Sequence, residues 1–392
     1  MMQFSRANRS VIAQWWWTVD RWMLVALFIL VILGAVLSLA ASPAVANRLG
    51  LSSFHFVYRH ALFVLPSLAL MFAVSMLPPR QVRRLAVIVF SVGLGFLALT
   101  LVWGTEIKGA HRWLNVGGFA LQPSEFVKPA FVVVAAWMFS EGLRHPAFPG
   151  AAVALLLYAL VACLLVLQPD FGQMMLVTLV FSALFFMAGL SWRWIGLMGT
   201  LAVAGAAGAY SQMPHVTSRV DRFLDPGTGD TFQIDRALEA VRTGGFFGRG
   251  PGEGVVKRIL PDAHTDFIFA VVAEEFGVLL AVVVIGLFCF IVMRSFNLVM
   301  DAKDRFVQLA ASGLAALFGL QALINLAVNV NLLPAKGMTL PFISYGGSSM
   351  LAMSFGMGML LALTRRRVSH GEGLGASMGR AAWAPARGEV AA

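Results

Sequence analysis

Apolar residues fall in long runs along this chain. Ten stretches, near 22–41, 58–77, 85–103, 124–140, 150–167, 172–189, 192–210, 267–293, 307–330 and 345–364, are nearly free of charge. A hydrocarbon core about 30 Å thick needs roughly 20 apolar residues per helix, so each stretch reads as a membrane-spanning helix. The pattern predicts an all-α integral membrane protein of about ten transmembrane helices, organised as one polytopic domain over 22–367. The mostly polar residues 211–265 separate the seventh run from the eighth as one large loop. Two shorter breaks, 104–124 and 330–349, are rich in Gly, Pro and polar residues. Irregular backbone at membrane depth is tolerated only where it packs in protein or lines a wet cavity. The three segments are therefore expected to converge around one site.

Composition agrees with this reading. Of 392 residues, 59% are hydrophobic and 12% charged, against roughly a quarter charged in soluble proteins. Mean hydropathy is +0.80. The net charge of +10 matters mainly through where the basic residues fall, because translocating positive charge is disfavoured. With the N-terminus inside, Arg80, Arg83, Arg84, Arg144, Arg193, Arg294, Lys303, Arg305 and Arg365 to Arg367 are cytoplasmic. The opposite side holds Arg48, Arg59, Lys108, Arg112 and Lys336, leaving the large loop aside. Both termini are thus expected in the cytoplasm, with 1–21 as an N-terminal segment and 368–392, rich in Gly, Ala and Arg, as a disordered tail. Trp15, Trp16, Trp17 and Trp22 suit an interfacial anchor. The run after them is too long for the apolar part of a signal peptide, so Ala44, Val45 and Ala46 are not expected to be cleaved. Cys163 and Cys289 lie inside apolar runs, and neither a disulfide nor a metal site is expected.

The outer loop carries Arg219, Arg222, Arg236, Arg242, Arg249, Lys257 and Arg258, against the topological trend. A basic lining there suits an anionic, lipid-linked substrate; the plainer alternative is that long loops translocate regardless of charge. At the end of this loop Asp266 follows Thr265, a candidate N-cap, and is placed at the first position of the eighth helix. Helix amides there favour the anion and burial opposes it, a balance the residues leave open. A functional carboxylate at such a position would be a general base; a helix cap is the plain reading. Glu274 and Glu275 lie about 12 Å further along on different faces, so they are expected not to face one cavity and to act as structural ionic anchors. Glu125 and Lys128, three apart, are expected to pair for the same purpose. The glycines between Gly244 and Gly254 can form amide nests for a phosphate, with Arg249 beside them, or simply turns. Asn325 and Asn329 read as helix-stitching amides ahead of a broken, re-entrant segment over 334–349.

These residues, in order, resemble the SEDS family (shape, elongation, division and sporulation). The match runs through Gly109 to Trp113, Gln122 to Lys128, Gln168 to Gly172, the glycine run, His264 to Glu275, and Pro334 to Ser349. Lys336 in Pro-Ala-Lys-Gly-Met-Thr-Leu-Pro is similar to the division branch, rather than the elongation branch. His111 and Phe232 stand where the family often has Arg and Tyr. The resemblance implies a peptidoglycan glycosyltransferase of the bacterial inner membrane, enriched at the division septum. It would join lipid II units into a glycan strand beside a class B penicillin-binding protein and other division proteins. The resemblance maps the essential acid onto Asp266. Arg112, Arg242, Arg249, Lys257, Lys336 and Ser344 are candidates for substrate binding, and basic residues or a divalent cation would stabilise the leaving diphosphate. A lipid II flippase, the rod-elongation paralogue of the same family and a non-catalytic division scaffold are the alternatives, and no nucleic-acid partner is expected.

Overall fold

The computed structural model describes residues 10–107, 110–189, 214–225, 231–334 and 336–366, with scattered positions between 190 and 213. The chain runs through α1 (Val11–Thr18), α2 (Arg21–Arg48), α3 (His55–Ser75) and α4 (Pro79–Trp103), then strands β1 (Thr105–Ile107), β2 (Ala110–Val116) and β3 (Phe119–Leu121). It continues with α5 (Pro123–Arg144), α6 (Gly150–Leu167), α7 (Phe171–Met187), α8 (Pro214–Leu224), α9 (Phe232–Gly244), a 3-10 turn Val256–Arg258, α10 (Ile268–Val299), α11 (Arg305–Asn329) and α12 (Gly347–Leu363). Among the described residues, 7 helices are long and apolar enough to cross a membrane, and α7 and α12 are shorter apolar helices. Nine of the ten expected spans are thus helical in the structure. The tenth, 192–210, lies largely outside the described residues, as does the expected tail 368–392.

Sequence character decides which helices are central. In α5 and α11, 67% of the most apolar window is buried, against 22% in α3 and α6. The outer helices accordingly turn residues such as Leu62, Leu65, Leu156 and Leu160 outward, where lipid rather than water covers them. The central helices instead carry the buried polar residues. Lys128 of α5 lies 3.0 Å from Glu125, and its ammonium donates to the amide oxygens of Gln173 on α7 (2.6 Å) and Gln321 on α11 (3.2 Å). Gln173 returns a hydrogen bond to Glu125 at 2.7 Å. An ion pair so deep is tolerated because both amides accept from Lys128 and Gln173 also donates to Glu125.

The break over 104–124 is not irregular: it forms a three-stranded antiparallel sheet in the order β1-β2-β3. Thr105 pairs with Trp113, and Val116 with Phe119. Gly117 and Gly118 make the two-residue turn between them with φ of +58° and +84°, conformations that a tight hairpin requires and other residues resist.

The eighth run departs most from expectation. α10 is not one continuous helix: Gly277, at φ 75° and ψ −177°, breaks it one residue past Phe276. The glycine run packs against that break. Arg249 N donates to Glu274 O (2.9 Å), Gly250 N to Glu275 O (3.0 Å) and Val278 N to Gly245 O (2.9 Å). Both buried carboxylates, Glu274 and Glu275, engage this loop. Glu274 accepts from the amides of Val255 (2.7 Å), Val256 (2.7 Å) and Lys257 (3.0 Å). Glu275 accepts from Gly252 N at 3.1 Å and pairs with the Lys257 ammonium. Within the glycine run foreseen to hold a phosphate, Gly252 N is taken by the chain's own Glu275, and the three amides on Glu274 belong to the residues just after the run.

A side chain at Gly277 would put its Cβ 2.3 Å from Phe246 O, on a backbone that L residues rarely adopt. Gly277→Ala should cost about 2 kcal/mol or more and lower the melting temperature in detergent. Gly286→Ala in the same helix meets nothing within 4 Å and should leave the melting temperature unchanged or slightly higher.

Candidate functional site

α10 starts at Ile268 with Phe267 as its N-cap. Asp266 therefore lies just ahead of the helix and not in its first turn, a correction of the expected boundary. Thr265 does not cap the helix, because its hydroxyl is turned back onto Asp262 O at 3.2 Å. The capping role falls to α11, where Asn329 Oδ1 accepts from Ala270 N at 3.1 Å. Asn325 and Asn329 also donate from their side-chain amides to the Asp266 carbonyl, at 2.9 and 3.0 Å.

The residues before Asp266 are held just as closely. Ser344 donates to Thr265 O at 2.6 Å, and Tyr345 N donates to His264 O at 2.9 Å. Asn325 Nδ2 also reaches Met338 O at 2.6 Å, so one side chain ties the re-entrant segment to the backbone of the acid. Thr339 and Ser349 join hydroxyls at 2.6 Å and close that segment on itself. With its backbone pinned from both sides, Asp266 presents its carboxylate to an 810 Å³ cavity. Its Oδ2 lies 3.4 Å from where a Cβ on Gly337 would stand.

The sheet supplies Arg112 and Trp113 to the cavity wall, α5 Glu125, the loop Asp262 and Asp266, and the re-entrant segment Lys336, Thr339 and Tyr345. The three polar segments of the sequence therefore meet at one place. Arg59 on α3 completes a set of three cations there and lies beside Tyr345. Arg112 is oriented by Gln168 O at 3.4 Å, by Pro169 O and by Asp170 at 3.7 Å. Burial raises the Asp170 carboxyl above its ordinary range, and the Arg112 charge opposes the rise. Lys336 Nζ lies 2.8 Å from Met175 Sδ. Glu125 forms part of the floor, already engaged by Lys128 and Gln173. Among the described residues no three His, Cys, Asp or Glu side chains come together as a metal-ligating group.

Of the residues singled out from sequence, Asp266, Arg112 and Lys336 line the cavity together with Glu125. Lys257 does not. Its ammonium is buried against Glu275 and Ala40 O (2.9 Å), so it anchors the loop to α2. Ser344 is buried behind Asp266, and Arg242 and Arg249 are exposed away from the lining. Arg59 was counted in the sequence only toward topology. Its signal was a basic residue on the outer side at the start of a span, where positive charge is least expected.

Burial pushes the His264 imidazole down to about 4, with Asp262 opposing and Arg48 adding to the fall. The neutral ring packs 4.5 Å from Phe56 and 5.4 Å from Tyr345, centroid to centroid. Burial raises the Tyr345 phenol above its usual range, opposed by Arg59.

Comparison with known proteins places this geometry among relatives. A family model described as cell cycle protein, covering FtsW, RodA and SpoVE, matches residues 20–369. The probable peptidoglycan glycosyltransferase FtsW of Caulobacter vibrioides (strain NA1000 / CB15N) is 52% identical over 368 residues, covering 93% of this chain and 94% of that protein. The probable peptidoglycan glycosyltransferase FtsW of Halomonas elongata is 38% identical over 356 residues, covering 87% and 89%. A solved structure described as the structural coordination of polymerization and crosslinking by a peptidoglycan synthase complex aligns with a TM-score of 0.72 at 30% identity, covering 88% of this chain and 97% of that one. The rod shape determining protein RodA of Thermus thermophilus aligns with a TM-score of 0.65 at 29% identity, covering 89% and 97%.

The depressed His264 has a direct consequence for stability. Between the unfolded value of 6.5 and the folded value of about 4, the unfolded chain binds more protons. Stability should be full above about pH 6.5 and fall by at most about 3 kcal/mol as the pH drops toward 4. Melting curves of wild type and His264→Gln in detergent across that range check this, with the variant expected to show a flatter slope.

Proposed function

Because the chain belongs to the FtsW, RodA and SpoVE family of cell cycle proteins, the SEDS family, and is most like FtsW, we propose that it is the peptidoglycan glycosyltransferase of cell division, with Asp266 as its general base. The observation that carries the assignment of Asp266 is its setting. The carboxylate faces a cavity that also holds the cations Arg59, Arg112 and Lys336 and the acids Asp262 and Glu125, the latter already paired with Lys128, while its own backbone is fixed by Asn325 and Asn329. A held acid opposite a cationic wall suits a neutral hydroxyl nucleophile and a diphosphate leaving group.

In the reaction, Asp266 takes the proton from the 4-hydroxyl of the N-acetylglucosamine of an incoming lipid II. That oxygen forms a bond to the anomeric carbon of the terminal N-acetylmuramic acid of the growing strand, with inversion. The bond from that carbon to the diphosphate oxygen breaks, and undecaprenyl diphosphate departs. Its charge falls to Arg112 and Lys336, with Arg59 beside them, in a site partly shielded from water. A diphosphate leaves readily, so no second acid is needed to protonate it.

The reading extends to setting and partner. The protein lies in the bacterial inner membrane with both termini cytoplasmic and the cavity outside, and works at the septum beside a class B penicillin-binding protein. The similar synthase complex, which couples polymerization and crosslinking, supports such a partner. A flippase reading draws less support, since the deep charges of Glu125 and Lys128 are closed on each other and on two amides.

Loss of a general base typically costs 10²- to 10⁴-fold. Asp266→Asn should therefore lower polymer formation from lipid II, with the cognate transpeptidase present, by about a hundredfold or more while leaving the melting temperature unchanged. Polymerisation at the wild-type rate by a folded Asp266→Asn protein would sink the role. Arg112→Gln and Lys336→Gln should each slow the same assay about tenfold, as expected for a lost charge-assisted contact. Arg242→Gln and Arg249→Gln should not change it.

A further inference from the structure

At the end of the bundle opposite the cavity of Asp266, the α1–α2 junction, the last turns of α10 and the end of α12 enclose a second cavity of 370 Å³. Its wall holds three arginines, Arg21, Arg294 and Arg366, and one acid, Asp20. The acid is already committed. Arg294 donates to it through Nη2 at 2.6 Å and Nε at 3.2 Å, and its Oδ1 also caps α2 by accepting from Met23 N at 2.9 Å. Arg21 has indoles beside it in place of a carboxylate, its guanidinium carbon 4.9 Å from the Trp17 ring and 5.2 Å from the Trp16 ring. Among the described residues no acid pairs with Arg21 or Arg366. The pocket thus keeps an uncompensated positive charge suited to a phosphate.

Its frame is built from hydrogen bonds. Arg366 N donates to Thr18 O at 3.0 Å, while the neighbouring Arg365 donates to Thr18 Oγ1 at 2.9 Å and to Met76 O at 3.0 Å. These tie the end of α12 to α1 and to the end of α3. The rim is amphipathic, with Trp22 69% exposed at the mouth. From there an exposed apolar stripe continues along α2 through Val25, Ile29, Ile32, Val36 and Leu39, the spacing that keeps residues on one helix face. A ligand held here by phosphate has a hydrocarbon path running directly away from it.

We propose that this pocket binds the phosphate headgroup of an anionic phospholipid, whose acyl chains lie along the outer stripe of α2. A soluble phosphate shares the headgroup chemistry and would satisfy the arginines, but would leave the stripe and the tryptophan rim without a role. Basic pockets at the ends of membrane helices recognise anionic headgroups in this way, each arginine adding to the attraction.

The test is native mass spectrometry of the full-length protein in detergent, titrated with dioleoyl phosphatidylglycerol, dioleoyl phosphatidylcholine or inorganic phosphate. Phosphatidylglycerol should bind about tenfold or more tightly than phosphatidylcholine, and equimolar inorganic phosphate should not displace it. The double variant R21Q/R366Q should lose that preference, whereas R305Q, outside the pocket, should keep it. Equal binding of the two lipids, or an unchanged preference in R21Q/R366Q, overturns the proposal. Displacement by inorganic phosphate overturns it in favour of a soluble anion. If R21Q/R366Q does not fold, the charge-conserving R21K/R366K takes its place. It should retain the preference for phosphatidylglycerol, and its loss there, with wild type still selective, would assign recognition to guanidinium geometry in place of charge and overturn the charge argument.

Discussion

Backbone polar groups have no water to turn to inside a bilayer, and the way this chain meets that constraint determines the rest of the structure. Two irregular segments penetrate the bundle, and side chains of α10 and α11 satisfy both. Glu274, fully buried, takes three consecutive loop amides, and those amides in turn make a buried carboxylate tolerable. Asn325 and Asn329 do the converse, offering donors to a carbonyl that has left helical geometry. Removing either kind of partner would leave buried groups unpaired, a larger penalty than the loss of a contact between apolar side chains.

The site inherits its rigidity from these arrangements. Asp266 lies between a loop held by Glu274 and Glu275 and a re-entrant segment held by Gln321, Asn325 and Ser344. The cations come from elements of quite different origin: a transmembrane helix for Arg59, a small sheet for Arg112 and the re-entrant segment for Lys336. A single helix shift would therefore move acid and cations relative to one another, and the packing of α5 and α11 at the centre resists such a shift.

Much of this was legible in the residues. The apolar runs gave the helices because bilayer thickness imposes a length, and three polar breaks pointed to one site because lipid excludes exposed irregular backbone. Asp266 stood out for the same reason. The errors arose where a side chain's direction depends on distant chain. Lys257 read as a loop cation, yet its ammonium is buried against Glu275 and the carbonyl of Ala40, the latter 217 positions away in sequence. Nothing local showed that Glu274 and Glu275 would both hold a loop packed against a break at Gly277. The glycine run offers one of its amides, Gly252 N, to an anion, but nothing local showed that this anion is the chain's own Glu275. The sheet between α4 and α5 escaped notice because strands of three and seven residues leave little periodicity.

The placement of Glu125 and Lys128 on the same helix also bears on how the protein is made. As α5 enters the membrane, neither α7 nor α11 has yet packed against it, so no amide from Gln173 or Gln321 is at hand. The two charges are three residues apart and 3.0 Å from one another in the finished bundle, so they can neutralise each other within α5 alone. The helix can then partition into lipid as a nearly uncharged unit. Gln173 and Gln321 arrive in the order of translation, and each completes a polar junction that the earlier helix brought into the membrane already closed.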